Sequence, residues 1–274
     1  MPDHIQRLFR AAGLAAALLT IAACTSVQTT QPGAVGITRT QSMAISAQQI
    51  DAAADKSYDE MLAEARTKGR LNQDAAMVAR VRRISQRLIA QTGAFRPDAL
   101  KWNWEVNVFQ SDDVNAFCMA GGKIGVFSGL VSKLNLTDDE LAAVLGHEIA
   151  HALREHVREQ VSAQYAQQIP LIVLGAVTGS EALQQLGGMV TKVTLGLPRS
   201  RQAEREADDI GVELAARAGY DPRAAITLWQ KMEKLGGAKG PEFLSTHPSN
   251  ASRQQDLAKA AEVVMPLYQR AGGR

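Results

Sequence analysis

The sequence predicts an α+β domain, mostly helical, with a small β-sheet packed on one central helix. Three observations carry this. Residues 137–153 form a capped, apolar-periodic stretch. Residues 100–127 alternate and then turn at a Gly-Gly pair. Helical periodicity fills the chain on either side.

The central helix opens at Thr137-Asp138-Asp139-Glu140, a capping box with Thr137 as N-cap and Glu140 reaching back. Leu141, Val144, Leu145, Ile149 and Ala152 follow at helical spacing. Within it stands His147-Glu148-x-x-His151. Residues four apart share one helix face, so both imidazoles can bind one metal ion without bending the backbone. Glu148 is offset by about 100°, beside the metal but not on it, where a general base takes a proton from water. Gly146 lowers helix propensity and leaves room for another element to approach.

The chain has 274 residues and a net charge of +2. Its Lys and Arg are scattered, which argues against nucleic acid as a partner. Arg7 and Arg10 precede an apolar run from Ala11 to Ala23, too short to span a bilayer. The run ends Ile21-Ala22-Ala23-Cys24, which resembles a bacterial lipobox. The expected organisation is a signal peptide over 1–23, a lipidated Cys24 opening a flexible Thr/Gln/Ser/Gly-rich tether over 24–46, and one domain over 47–274. Thr25 after the Cys, by resemblance to lipoprotein sorting signals, points to the periplasmic face of the outer membrane of a Gram-negative bacterium. With Cys24 lipidated, Cys118 has no disulfide partner and reads as a small buried hydrophobe.

Ala47 to about Gly93 is helical, with a stripe of Met77, Val81, Ile84, Leu88 and Ile89. Leu100 to Phe109 alternates as a half-buried strand. Two apolar runs around Gly121-Gly122 suggest a hairpin. Gln160 to Pro198 reads as helical pieces near the site. Glu204 to Ala218 forms a helix ended by Gly219. Asp221-Pro222 opens another that buries Ala225, Leu228, Trp229 and Met232. Gly236 to Gly240 is a loop, Ser245 to Ser252 an irregular turn, and a last helix runs to about Leu267.

A hydrolytic zinc site takes three protein ligands and keeps one position for water. His156 is no candidate third ligand: it lies about 140° from the ligand face, as a surface residue. Glu204 and Asp208, four apart on a later helix, face one way. Glu204 can ligate while Asp208 accepts the free N–H of a ligating His. Glu206 points to a different side, and a charged solvated face is the other reading of this run.

HEIAH on a capped helix, ExEAD about fifty residues later, NAF…GG…I.V..GL upstream and a THPS turn near the end together resemble the HtpX-like and CAAX-prenyl-endopeptidase-like zinc metallopeptidases, gluzincins by ligand set. The signal peptide and small size are similar to their soluble periplasmic branch, the LoiP-like and BepA-like proteins. The resemblance implies a zincin-like metallopeptidase domain with one Zn²⁺ per chain, held by His147, His151 and Glu204. It implies Glu148 as base and Asp208 as the acceptor behind a ligand. It makes Asn115, Ala116 and Phe117 an edge strand that pairs with extended substrate. His247 becomes the THP histidine, a ligand in a closed state or an oxyanion stabiliser once it moves, with Arg253 supporting that turn. The implied activity is zinc-dependent endoproteolysis of misfolded or misassembled envelope polypeptides. A chaperone-like binding lipoprotein with a latent protease site is the alternative, and BepA-like proteins continue into a helical repeat domain that this sequence does not include.

Overall fold

The computed structural model describes residues 25–172, 180–235, 242–248 and 252–272. Cys24, the signal segment and the Gly236–Gly240 loop lie outside the described residues.

The segment expected as a flexible tether is ordered where it is described. Strand β1 (Thr25–Val27) pairs antiparallel with β2 (Gln41–Met43), Ser26 opposite Ser42. Thr30, Gln41, Met43 and Ile45 are buried. Polar composition misleads here because the side chains are spent on distant partners: Gln41 Nε2 donates to the Arg154 carbonyl at 2.7 Å, and the Thr29 hydroxyl accepts from Arg154 Nη1 at 3.0 Å.

Helix α1 (Ala47–Thr67) starts at a Ser46/Gln49 capping box and buries Ile50, Ala53, Ala54, Tyr58 and Leu62, an i, i+3, i+4 stripe. Helix α2 (Ala75–Ile89) is capped by Asp74 and buries Val78, Val81, Ile84 and Leu88. Gly69 (φ 60°) and Asn72 (φ 55°), both left-handed, break the single helical region into two.

The predicted strand over 100–109 is shorter than its alternation suggests. Pro97–Lys101 is a 3₁₀ turn, Leu100 is exposed, and only β3 (Glu105–Phe109) is strand. Trp102 and Trp104 stack on each other instead, 5.4 Å between centroids. Strands β4 (Ala116–Met119) and β5 (Lys123–Phe127) form the expected hairpin. Its turn needs Gly121 (φ 72°) and Gly122 (φ 89°), and a Cβ on Gly122 would meet Trp104 at 2.6 Å. The sheet order is β3-β5-β4, with β3 parallel to β5.

Side chains alternate across β4. Ala116 and Cys118 join the larger core, which gathers α2, the central helix and the later helices. Phe117 and Met119 join a smaller core with Tyr58, Phe109 and Val190. The sheet thus separates two apolar layers. After the short α3 (Ser128–Lys133) comes the central helix α4 (Asp138–Leu153), capped by Thr137 and Glu140 as predicted and buried from Glu140 to Leu153. Helices α5 (His156–Ile172) and α6 (Ser180–Gly196) account for most of the Gln160–Pro198 region. Helix α7 (Arg201–Arg217) has Ser200 as N-cap and Gly219 at φ 74° after its end. Helix α8 (Ala224–Leu235) buries the four residues predicted for it. The one-turn α9 (Glu242–Thr246) takes in Ser245 and Thr246, the first two residues of the expected irregular turn, and α10 (Arg253–Arg270) closes the described chain. No helix among the described residues is long and apolar enough to cross a membrane.

Candidate metal centre

Four of the chain's five histidines meet between α4, α7 and the α9 turn. His147 and His151 come from consecutive turns of α4, with Nε2 atoms 3.1 Å apart. Glu204, in the first turn of α7, places Oε1 3.3 Å from His151 Nε2 and Oε2 3.6 Å from His147 Nε2. His247, directly after α9, places Nδ1 3.0 Å from Glu204 Oε1 and 3.2 Å from His147 Nε2. One donor atom from each of these four buried residues lies within 4.8 Å of the others. This is the spacing a single ion needs, and the N/N/O donor set with a third imidazole as fourth donor suits zinc. The fit is good without rearrangement.

Electrostatics agree with this use. Burial holds the His151, His156 and His247 rings below the usual histidine range. Burial opposes ionisation of Glu204, but His247, His151 and His147 outweigh it and keep the carboxyl well below its usual value. Glu148, one step round α4, is 2 % exposed, and its Oε1 has no hydrogen-bond partner among the described residues. Burial pushes its carboxyl up to about 7. His247 Nε2 is 3.5 Å from that free oxygen.

The remaining predicted residues fall around this core. Asp208 Oδ1 is 3.0 Å from His147 Nδ1, the nitrogen turned away from the cluster. Arg253 Nη2 donates to Asp208 at 2.7 Å and to Glu204 at 3.1 Å, with its guanidinium 3.3 Å over the Trp229 ring. Its Nη1 donates to the Pro248 carbonyl at 3.3 Å, holding the turn after His247. Ala116 and Phe117 lie on β4, one of the two edge strands of the three-stranded sheet, and Asn115 directly precedes it. All three are buried, and the Phe117 ring points away from the metal helix toward Tyr58 and Phe109.

Two residues escaped the sequence reading. His156, expected at the surface, is 2 % exposed and its Nδ1 lies 2.8 Å from His151 Nδ1. The 140° offset assumed a continuous helix, but α4 stops at Leu153 and Glu155 adopts φ 51°, which turns the next residue back beneath the site. Arg199, just ahead of α7, is buried with Nε and Nη1 unpartnered among the described residues. The charges acting on it are those of Glu148 and Glu204, and its backbone N–H donates to the Thr246 carbonyl beside His247. An Arg before an N-cap carries no local signal of this.

Two imidazoles from one helix, a carboxylate from another and beside them Glu148, with Oε1 unpartnered among the described residues, define a gluzincin-type zinc centre. The profile of peptidase family M48 matches residues 75–261, and the chain belongs to that family, whose metallopeptidases use zinc. It is 42 % identical over 158 residues to mitochondrial metalloendopeptidase OMA1 of Arabidopsis thaliana, covering 58 % of this chain and 32 % of that protein. It is 38 % identical over 175 residues to OMA1 of Schizosaccharomyces pombe, covering 63 % and 50 %. It is 34 % identical over 153 residues to metalloprotease LoiP of Escherichia coli, covering 55 % and 60 %. The aligned part spans less than two thirds of each of these relatives.

Proposed function

We propose that the protein is a zinc-dependent endopeptidase of the bacterial periplasm, anchored by lipid on Cys24 to the outer membrane, and that it degrades unfolded or misassembled envelope polypeptides. One observation carries the catalytic part: His147, His151, Glu204 and His247 converge within 4.8 Å beside the free, buried oxygen of Glu148.

His147, His151 and Glu204 would hold the metal. Zinc held there would supply a bound water of pKa around 7 and Lewis acidity toward a peptide carbonyl. The protein's own groups do the rest. Glu148 Oε1, desolvated and uncommitted, takes a proton from water and delivers it to the leaving amine. Asp208 fixes the His147 tautomer and ring orientation. Arg253 holds Glu204 and Asp208 in register. Arg199 offers uncommitted N–H donors close to the same carboxylates, suited to a substrate carbonyl. His247 serves in one of two ways: as a fourth ligand at rest, or as an oxyanion partner after it moves. The outer position of β4 supports pairing of Asn115, Ala116 and Phe117 with an extended peptide.

The location rests on the first residues: Arg7, Arg10, the Ala11–Ala23 run and the small residues before Cys24. The relatives LoiP and YcaL, 34 % and 29 % identical, are metalloproteases of E. coli and so favour a bacterial setting. The OMA1 relatives are mitochondrial by name. The alternative is a chaperone-like lipoprotein with a latent site, and the near-complete burial of His147, Glu148 and His247 is what favours it. Digestion of casein by the full chain, with and without chelator, separates the two. Chelator-sensitive cleavage supports the peptidase, and no cleavage by zinc-loaded protein supports the binding role.

A further inference from the structure

A metal-ligating imidazole has a second nitrogen, and its partner sets the tautomer and the aim of the ring. For His147 that partner is the Asp208 carboxylate. For His151 it is another ring, His156 Nδ1 at 2.8 Å. Two imidazole nitrogens that close must be one donor and one acceptor. His151 turns Nε2 to the cluster, so its Nδ1–H donates. His156 Nδ1 then accepts, and its Nε2–H is left to donate to Glu206 Oε2 at 3.2 Å.

Glu206 is held in turn from the N-terminal strap. Arg39, between β1 and β2, donates from Nε to Glu206 Oε1 and from Nη2 to Oε2 at 3.2 Å. Its Nη2 also reaches Glu159 at 2.9 Å. Arg154 donates from Nε to Glu206 Oε2 at 2.9 Å, from Nη1 to Thr29 at 3.0 Å and from Nη2 to the Arg39 carbonyl at 3.1 Å. His156, Arg154 and Glu206 are 2 %, 0 % and 3 % exposed, so removing one member leaves desolvated groups unpaired. The left-handed Glu155 is the backbone device that brings His156 under His151.

We infer that His156 is a positioning residue for the metal ligand His151, and that the strap of residues 29–41, through Arg39 on Glu206, is part of the metal centre. Zinc affinity then depends on a segment ahead of residues 75–261, the stretch the family profile matches. This rests on the metal-centre reading above.

The test is zinc affinity by chelator competition, with the cobalt(II) absorption spectrum, on the full chain. The variants are His156→Phe, His156→Gln, Arg39→Met and the surface control Arg223→Ala. His156→Phe should weaken zinc binding by about 10–100-fold and shift the cobalt spectrum. His156→Gln, whose side-chain oxygen can accept from His151, should recover part of that loss. Arg39→Met should weaken binding by less, and the control should match wild type. Wild-type affinity and an unchanged cobalt spectrum in the folded His156 and Arg39 variants would overturn the inference, leaving the network purely structural. If His156→Phe does not fold, His156→Gln and Arg39→Met decide. Wild-type protein that takes up no zinc overturns the metal centre itself, and this inference with it.

Discussion

Gly146 and Gly211 face each other where α4 meets α7: a Cβ on Gly146 would stand 2.7 Å from the Gly211 carbonyl oxygen, and one on Gly211 2.7 Å from the His147 amide nitrogen. The two helices that supply the ligands therefore touch backbone to backbone, one residue from the first ligand. Gly146→Ala should destabilise by about 1–3 kcal/mol and weaken zinc binding as well. Thermal melts with zinc titration check this. An Ala variant as stable as wild type with unchanged affinity would mean the helices can separate freely.

Glu148→Gln keeps the shape of the side chain and removes its basicity. Zinc content should stay at the wild-type level while proteolysis of a denatured substrate falls by about 10²–10⁴-fold or more. Residual cleavage close to wild type would remove Glu148 from the base role.

Arg199 is a buried charge whose Nε and Nη1 are unpartnered among the described residues, and replacing such a group by an apolar residue of similar length relieves its desolvation. Arg199→Met should therefore raise the melting temperature and lower kcat/KM together. A variant that gains stability and keeps full activity would show that the free donors do not meet substrate.

Asp209, beside Asp208 on α7, is pushed up to about 7 by burial, with Asp208 and Asp256 adding to it. Unfolded, the same carboxyl ionises near 3.8. Between those values the folded state binds the proton more tightly, so this contribution is present below about pH 4 and is lost as pH rises to about 7. Asp209→Asn removes the loss. The variant should melt above wild type at pH 8 and close to it at pH 4.5, at about 2–4 °C per kcal/mol. An equal difference at both pH values would contradict the linkage.

The parts legible in the sequence were those written at short range. Thr137 and Glu140 announce α4, the four-residue spacing puts His147 with His151 and Glu204 with Asp208, and Gly121-Gly122 announces the hairpin. What escaped depends on contacts distant in sequence. Thr29, Thr30, Arg39 and Gln41 look like solvated tether residues until Arg154 and Glu206 come to meet them. His156 was misplaced by one backbone event, the left-handed Glu155, which periodicity cannot register. The alternation from Leu100 begins ahead of the true start of β3 because Leu100, in the tight turn at Pro97, and Trp102 and Trp104 after it fall in the same phase as Val106 and Val108.

The most direct test is the metal content of the purified protein measured beside Glu204→Gln. One zinc per chain is expected in wild type and a large loss in the variant, because His147 and His151 alone leave the ion without its carboxylate. Equal zinc in both, or none in wild type, would contradict the convergence of α4 and α7 on a single ion.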